Sequence, residues 1–130
     1  RPERIAEGLG TRWHADETCF KPHACCGSNH ACVDAAIGIM REHRLGIEDV
    51  ERVIAGIPSV VQTQTGFDYH ADSVLNAQMS LRYNIAVAMC DGQALLEQFA
   101  PERIVAVAGD GTHFDAPIPE FTLSIPRTLH

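Results

Sequence analysis

The residues best suited to chemistry lie between Phe20 and His30, where the chain reads FKPHACCGSNH and continues into an amphipathic helix. Lys21 carries a positive charge, and His30 carries an imidazole that exchanges a proton near neutral pH. The first turn of a helix adds unpaired backbone N–H groups and the positive end of the helix dipole, both of which attract anions. The helix start together with Lys21 and His30 therefore predicts a carboxylate site.

The rest of the chain is acidic, which makes this positive segment a local feature. Ten Lys and Arg residues stand against seventeen Asp and Glu residues, for a net charge of −7. We expect no nucleic-acid partner, because phosphate contacts need clustered Lys and Arg. We expect no membrane partner either, because no window holds the ~20 apolar residues of a membrane span.

The cysteines indicate a compartment and argue against a metal site. Five cysteines at irregular spacing are typical of reduced thiols, which predicts a cytoplasmic protein without disulfides. Cys26 and His30 lie four residues apart and Cys32 is close by, but no CxxC or HxxxH pair completes a metal-binding pattern. We therefore expect no metal.

Hydrophobic periodicity predicts the elements that position these residues within a single domain, 1–130. One helix is expected from Asn29 to His43, with Ser28 as N-cap, and a second, largely buried helix from Asn76 to Cys90. The other expected elements are strands within 50–61 and 121–125, a polar loop over 62–73, a short helix over 94–99 and a helical turn from 101. Together they predict an α+β fold, with an antiparallel sheet packed against the two main helices.

Each candidate residue also has a purely structural explanation. Lys21 is also consistent with an ordinary solvated lysine, and His30 with a polar residue in a first helical turn. Tyr83 places a hydroxyl in an apolar helix, as a core tyrosine with one hydrogen-bond partner also does. Residue types alone thus predict a carboxylate site and no particular reaction.

Several motifs in order along the chain resemble those of the MmgE/PrpD family. FKPHACC at 20–26 is similar to the family's K-P-Y-P-C-C type of motif, and the usual Asn29-His30 pair follows it. AQMSLRYNIAVA at 77–88 resembles the family helix A-K-F-S-L-P-Y-x-V-A-x-A. The resemblance covers roughly residues 8–104, and the tail from 105 to 130 does not continue it.

The resemblance implies a cofactor-independent lyase or isomerase that acts on a di- or tricarboxylate, by dehydration, decarboxylation or epimerisation next to a carboxylate. Family subunits have a large helical domain and a smaller α+β lid, with the active site between them, and this chain resembles the lid alone. The implied partners are a small carboxylic acid and the helical domain of a parent enzyme. We expect the isolated chain to be inactive and to form a homodimer through the face that it leaves exposed.

The resemblance also assigns roles to particular residues. Lys21 would bind and polarise a substrate carboxylate, while Tyr83 or His30 would assist proton transfer at the adjacent carbon. The implied catalytic residues are thus Lys21, His30 and Tyr83. The implied substrate-binding residues are Lys21, Cys26, Ser28 and Asn29.

Two departures from the family motifs leave an alternative open. Arg82 replaces the usual proline before Tyr83, and Gln78 stands where a charged residue is common. The alternative is a small stand-alone binding or protein-interaction module in which the site residues are relics. A helical domain encoded beside this chain would favour the enzyme, whereas a complete short reading frame would favour the module.

Overall fold

The computed structural model describes residues 4–70, 72–108 and 120–124. The helices are α1 (His30–His43), α2 (Ser59–Thr65), α3 (Val74–Met79), α4 (Leu81–Asp91) and α5 (Pro101–Ala108). The strands are β1 (Arg52–Gly56) and β2 (Glu120–Ser124). Short 3-10 turns occupy His14–Glu17, Gly27–Asn29, Ile47–Asp49 and Leu96–Phe99.

The two strands pair in parallel, so the predicted antiparallel sheet is wrong. Val53 lies opposite Phe121 and Ala55 lies opposite Leu123. Four helices separate the strands along the chain, and parallel neighbours need such a long crossover. The described part of the chain is therefore mostly helical, and it is not a sheet packed against two helices. Alternation of apolar residues identifies a strand and its buried face, but it carries no information about the direction of the partner strand.

Helix α4 runs through the core and is buried on both sides, as the apolar sequence predicted. Tyr83 and Val87 belong to one cluster, which also includes residues of α1 and α5. Leu81, Ile85 and Met89 belong to a second cluster, which includes residues from the β1 region. The helix ends at Gly92, whose left-handed φ of 69° suits a residue without a Cβ.

Ser80 divides the single helix predicted over 76–90 into α3 and α4. Its Oγ accepts a hydrogen bond from the backbone N–H of Tyr83 at 3.2 Å, which makes Ser80 the N-cap of α4. Its own N–H donates to the carbonyls of Asn76 and Ala77 at the end of α3. The apolar pattern runs through this break, and only the serine marks it.

The start of α1 is confirmed to within one residue, but its predicted cap is wrong. Ser28 lies in the preceding 3-10 turn, and its hydroxyl donates to Gln64 Oε1 at 3.0 Å instead of capping the helix. The predicted end of the helix at His43 is confirmed, and Arg44 follows it as the C-cap in a left-handed conformation with φ 54°.

Helix α2 occupies part of the region that was expected to be strand and loop. It begins after Pro58, and the hydroxyls of Thr63 and Thr65 donate to backbone carbonyls one turn earlier, both at 3.0 Å. These local bonds let β-branched residues join a helix despite their preference for strands.

The remaining expected elements are present with other bounds, and the helical turn expected from 101 is the start of α5. The region 50–61 contains β1, and 94–99 contains a 3-10 turn. The strand predicted over 121–125 is found as β2, with Ile125 lying outside the described residues. In the part of the chain that is described, no helix is both long and apolar enough to cross a membrane.

Candidate carboxylate-binding site

The segment 21–26 forms one wall of a groove with a volume of about 960 Å³. The other walls come from α3 and from the loop that follows α4. They contribute Leu75, Gln78, Met79, Gln93, Leu95, Leu96 and Glu97.

Hydrogen bonds anchor this wall on two sides. The N–H of Ala24 donates to the carbonyl of Ala94 at 2.9 Å, and the N–H of Cys26 donates to the carbonyl of Gln78 at 2.9 Å. The side-chain amide of Gln78 returns a hydrogen bond to the carbonyl of Ala24 at 2.9 Å. Lys21 therefore extends from a backbone that is held in place immediately beyond Pro22.

Lys21 and His30 meet at one backbone carbonyl. Lys21 Nζ donates to the oxygen of Cys25 at 3.3 Å, and His30 Nε2 lies 3.3 Å from the same oxygen. A carbonyl oxygen only accepts, so His30 Nε2 carries the hydrogen in this contact. Lys21 is exposed, and its ammonium group can exchange this long bond for a stronger, charge-assisted bond to a carboxylate.

His23 is the imidazole that lines the groove, and the sequence analysis did not select it. It is only 8% exposed, and its Nε2 lies 2.8 Å from Asp34 Oδ1. Its ring packs edge-to-face against that of His30, with centroids 5.2 Å apart. Asp34 follows His30 by four residues on α1, so both lie on one helix face. This spacing was the available signal that a carboxylate stands beside the histidines.

Tyr83 lies outside the groove. Its side chain is fully buried, and its hydroxyl donates to the carbonyl of Gln98 at 2.6 Å. Its ring packs against Tyr69 and Phe99, with centroid distances of 5.2 and 5.8 Å. Burial, followed by the neighbouring Tyr69, raises the pKa of Tyr83 far above its ordinary value. The hydroxyl of Tyr83 therefore stays protonated at neutral pH, and its hydrogen is already donated to Gln98.

Tyr83, Asp91, Gln98 and Arg103 form a closed set of polar contacts, called here the Tyr83 network. Gln98 Nε2 donates to Asp91 Oδ2 at 3.1 Å, and Arg103 Nε donates to the same oxygen at 3.0 Å. Arg103 Nη2 also contacts Asp91 Oδ1. The hydrogen bonding of Arg103 to the Asp91 carboxylate, in which Arg103 donates, is the largest cause of the raised pKa of Arg103. The network joins α4 to α5 through the ion pair between Asp91 and Arg103, in which both charged groups are hydrogen-bonded.

The predicted substrate-binding residues separate into two groups. Lys21 and Cys26 line the groove. Asn29 is fully buried, with Nδ2 donating to the carbonyl of Met79 at 3.4 Å, and Ser28 is bonded to Gln64. The side chains of Ser28 and Asn29 thus serve packing contacts at the start of α1.

The thiols and possible metal ligands add little to the site. All five cysteines are free. Burial is the main reason that the pKa of Cys25 rises to about 11, with the neighbouring Cys26 adding to it, so this thiol stays protonated at neutral pH. Among residues 4–70, 72–108 and 120–124, no three His, Cys, Asp or Glu side chains are grouped in a way that could hold a metal ion.

Comparison with known proteins assigns the class. The MmgE/PrpD C-terminal domain matches residues 23–108, so the chain belongs to the MmgE/PrpD family. Cis-aconitate decarboxylase of Aspergillus terreus is 29% identical over 107 residues, which cover 77% of this chain and 22% of that enzyme. The cis-aconitate decarboxylase-like protein oryM of Aspergillus oryzae is 25% identical over 111 residues, 80% of this chain and 23% of the relative.

A third similarity is short. Protein ApaG of Nitrosospira multiformis is 75% identical over 24 residues, which amount to 18% of this chain and 19% of that protein. The match to the decarboxylases covers far more of this chain, yet the chain spans less than a quarter of their length.

Proposed function

We propose that this chain is the lid portion of an MmgE/PrpD lyase, and that it binds one carboxylate of a di- or tricarboxylic acid through Lys21. The observation that carries the proposal is the position of Lys21, exposed on an anchored wall of a groove. Lys21 is also the single lysine of a sequence whose net charge is −7. The similarity to cis-aconitate decarboxylases supports an acid of this class as substrate.

The charges around the groove favour one orientation of such an acid. Lys21 lies on one wall, and the exposed carboxylate of Glu97 lies on another. A substrate carboxylate is attracted to the ammonium group and repelled by Glu97, because like charges disfavour each other at short range. The acid is therefore bound with one carboxylate at Lys21 and its carbon chain along the groove.

The rim of the groove supports the proposal that another part of a parent enzyme completes the site. Leu75, Leu95 and Leu96 are 67%, 46% and 77% exposed, and all three line the groove. Exposed apolar clusters are typical of surfaces that other protein segments cover. We propose that the helical domain covers these leucines, and that the chain alone does not turn over cis-aconitate. Turnover by the purified chain would contradict this part of the proposal.

A titration of the full chain tests the proposed carboxylate site. We expect citrate and cis-aconitate to shift the backbone amide NMR signals of residues 21–26 and Gln78. Lys21→Met should abolish these shifts, whereas Arg4→Met, which removes an exposed cation outside the groove, should preserve them. Shifts that persist in Lys21→Met, or their absence at millimolar ligand, would contradict the proposal.

The exposed leucines also favour a second candidate, a protein-interaction module that pairs with its own copy. Light scattering of the wild-type chain should then show a molecular mass that rises from that of a monomer to that of a dimer as the protein concentration increases. Leu96→Asp should hold the chain monomeric, whereas Val105→Asp, at an exposed position outside the groove lining, should not. A wild-type chain that remains monomeric at every concentration excludes the homodimer.

A further inference from the structure

We infer that His23, oriented by Asp34, is the imidazole that transfers a proton to the substrate in this groove. The inference rests on the proposed function, because it requires an acid held at Lys21. It assigns to His23 the role that the sequence analysis gave to His30 or Tyr83.

The first argument is the position of His23. It belongs to the anchored wall and lies two residues from Lys21, so an acid held by the ammonium group comes within reach of this ring. His30 lies behind the wall, with Nε2 committed to the carbonyl of Cys25, and does not line the groove. Tyr83 is fully buried and bonded to Gln98.

The second argument is the partner of His23. Its Nε2 lies 2.8 Å from Asp34 Oδ1, and a carboxylate accepts hydrogen bonds, so Nε2 carries the hydrogen. In the neutral ring this leaves the lone pair on Nδ1. Asp34 accepts from Nε2–H in both the neutral and the protonated ring, as carboxylates do beside catalytic histidines. Asp34 is thus a positioning residue for His23.

The third argument is the unused nitrogen. Nδ1 of His23 is buried and has no hydrogen-bond partner within the described residues. Buried polar atoms in native proteins are nearly always paired, so an unpaired one calls for an explanation. The ring of His30 packs against His23 but its Nε2–H is already used. Once Nδ1 carries a proton, a carboxylate of the acid in the groove would supply the missing acceptor.

Other ionisable groups in the groove are poorer candidates. Burial raises the pKa of Cys25 to about 11, which leaves its thiol protonated. Lys21 is assigned to the carboxylate. Glu97 is exposed on another wall of the groove, and its charge repels the acid.

For a decarboxylation the step is as follows. The bond to the departing carboxyl carbon breaks, CO₂ leaves, and the electron pair stays on the substrate carbon. That carbon takes the proton from Nδ1 of the His23 imidazolium, which leaves a neutral ring still bonded through Nε2 to Asp34. Water returns a proton to Nδ1 after the product departs.

The test uses the full chain with ¹⁵N-labelled histidine and long-range proton–nitrogen NMR. At a pH where the ring is neutral, His23 should show hydrogen on Nε2 and none on Nδ1. Asp34→Asn should move the hydrogen to Nδ1, because the new amide can donate to Nε2, and Asp34→Glu should restore the original form. Asp49→Asn, on the turn before β1, is the matched control. Hydrogen on Nδ1 in the wild type would overturn the inference.

A ligand titration separates this inference from the proposed function. Cis-aconitate should shift the His23 Nδ1 signal and the amide of Lys21 with one saturation curve, and Lys21→Met should abolish both responses. Binding that depends on Lys21 but leaves His23 Nδ1 unmoved overturns the inference and leaves the proposed function standing. Loss of all Lys21-dependent binding overturns both. The titration needs no substitution at Asp34, so it tests the role of His23 even if Asp34→Asn does not fold.

Discussion

The groove wall at 21–26 and the Tyr83 network both contain polar side chains, yet they use their hydrogen bonds differently. In the network, Tyr83 donates at 2.6 Å and Asp91 accepts from both Gln98 and Arg103. In the wall, Lys21 makes a 3.3 Å bond, and His23 Nδ1 has no hydrogen-bond partner among the described residues.

This difference indicates what each region does. A hydrogen bond that is already made contributes to stability and is costly to break, whereas a weakly used donor or acceptor remains available to a ligand. The Tyr83 network therefore stabilises the fold, and the wall is where we propose that the acid binds. Changes in the two regions should separate stability from binding.

The largest effect is expected from Tyr83→Ala. The substitution removes a fully buried aromatic ring between Tyr69 and Phe99 and leaves a cavity. Loss of a buried aromatic side chain costs about 3–5 kcal/mol of unfolding free energy. Urea denaturation measures this loss of unfolding free energy. Phe20→Ala is the control, because Phe20 is fully exposed and its loss should change stability little. Equal losses in the two variants would refute the assignment of Tyr83 to the core.

Asp91→Asn should have the next largest effect. It removes the charge that accepts from Arg103 and Gln98, and hydrogen bonds to charged groups contribute about 1.5–3 kcal/mol each. We expect a loss of about 1–3 kcal/mol in urea denaturation, since the side chains of Arg103 and Asp91 are 33% and 19% exposed. Glu7→Gln breaks the 70% exposed pair with Arg4 and should cost less than about 0.5 kcal/mol. If Asp91→Asn loses no more unfolding free energy than Glu7→Gln, the Tyr83 network does not stabilise the fold.

Alkaline pH should weaken the fold by a smaller amount. Burial raises the pKa of Cys25 from 9.0 to about 11 and that of Tyr69 from 10.0 to about 12. Between these values the unfolded chain loses protons that the folded chain keeps, so stability is complete below about pH 9 and falls as the pH rises. Cys25 alone should contribute a loss of about 1–2 kcal/mol by pH 10.5.

The urea midpoint at pH 8 and pH 10.5 measures this dependence. Cys25→Ala should flatten it, because the substitution removes one of the titrating groups. A midpoint that stays constant or rises over this range would contradict the burial of these groups.

Much of the fold followed from local patterns in the sequence. The apolar spacing located α1, and the alternation of Val53, Ala55 and Ile57 located β1. The parallel direction of β2 could not be predicted, because direction depends on the path of the chain between the strands. The break at Ser80 was concealed by apolar residues that continue from α3 into α4.

The candidate site shows the same limit. The motif identified Lys21 as the cation, and the structure places it in the groove. The choice between His23 and His30 depends on which residue lines the groove, and the wall that carries His23 is held by Ala94 and Gln78. These contacts join residues far apart in sequence, so no local pattern reports them.

The separation of binding in the wall from stability in the Tyr83 network is tested most directly by comparing Lys21→Met with Tyr83→Phe. Urea denaturation and a cis-aconitate titration are run on both variants. The account predicts that Lys21→Met keeps its unfolding free energy within about 0.5 kcal/mol and loses binding. Tyr83→Phe should lose about 1 kcal/mol, because the carbonyl of Gln98 loses its donor, and should bind the acid as the wild type does. The opposite result, with binding lost in Tyr83→Phe and retained in Lys21→Met, would contradict the account.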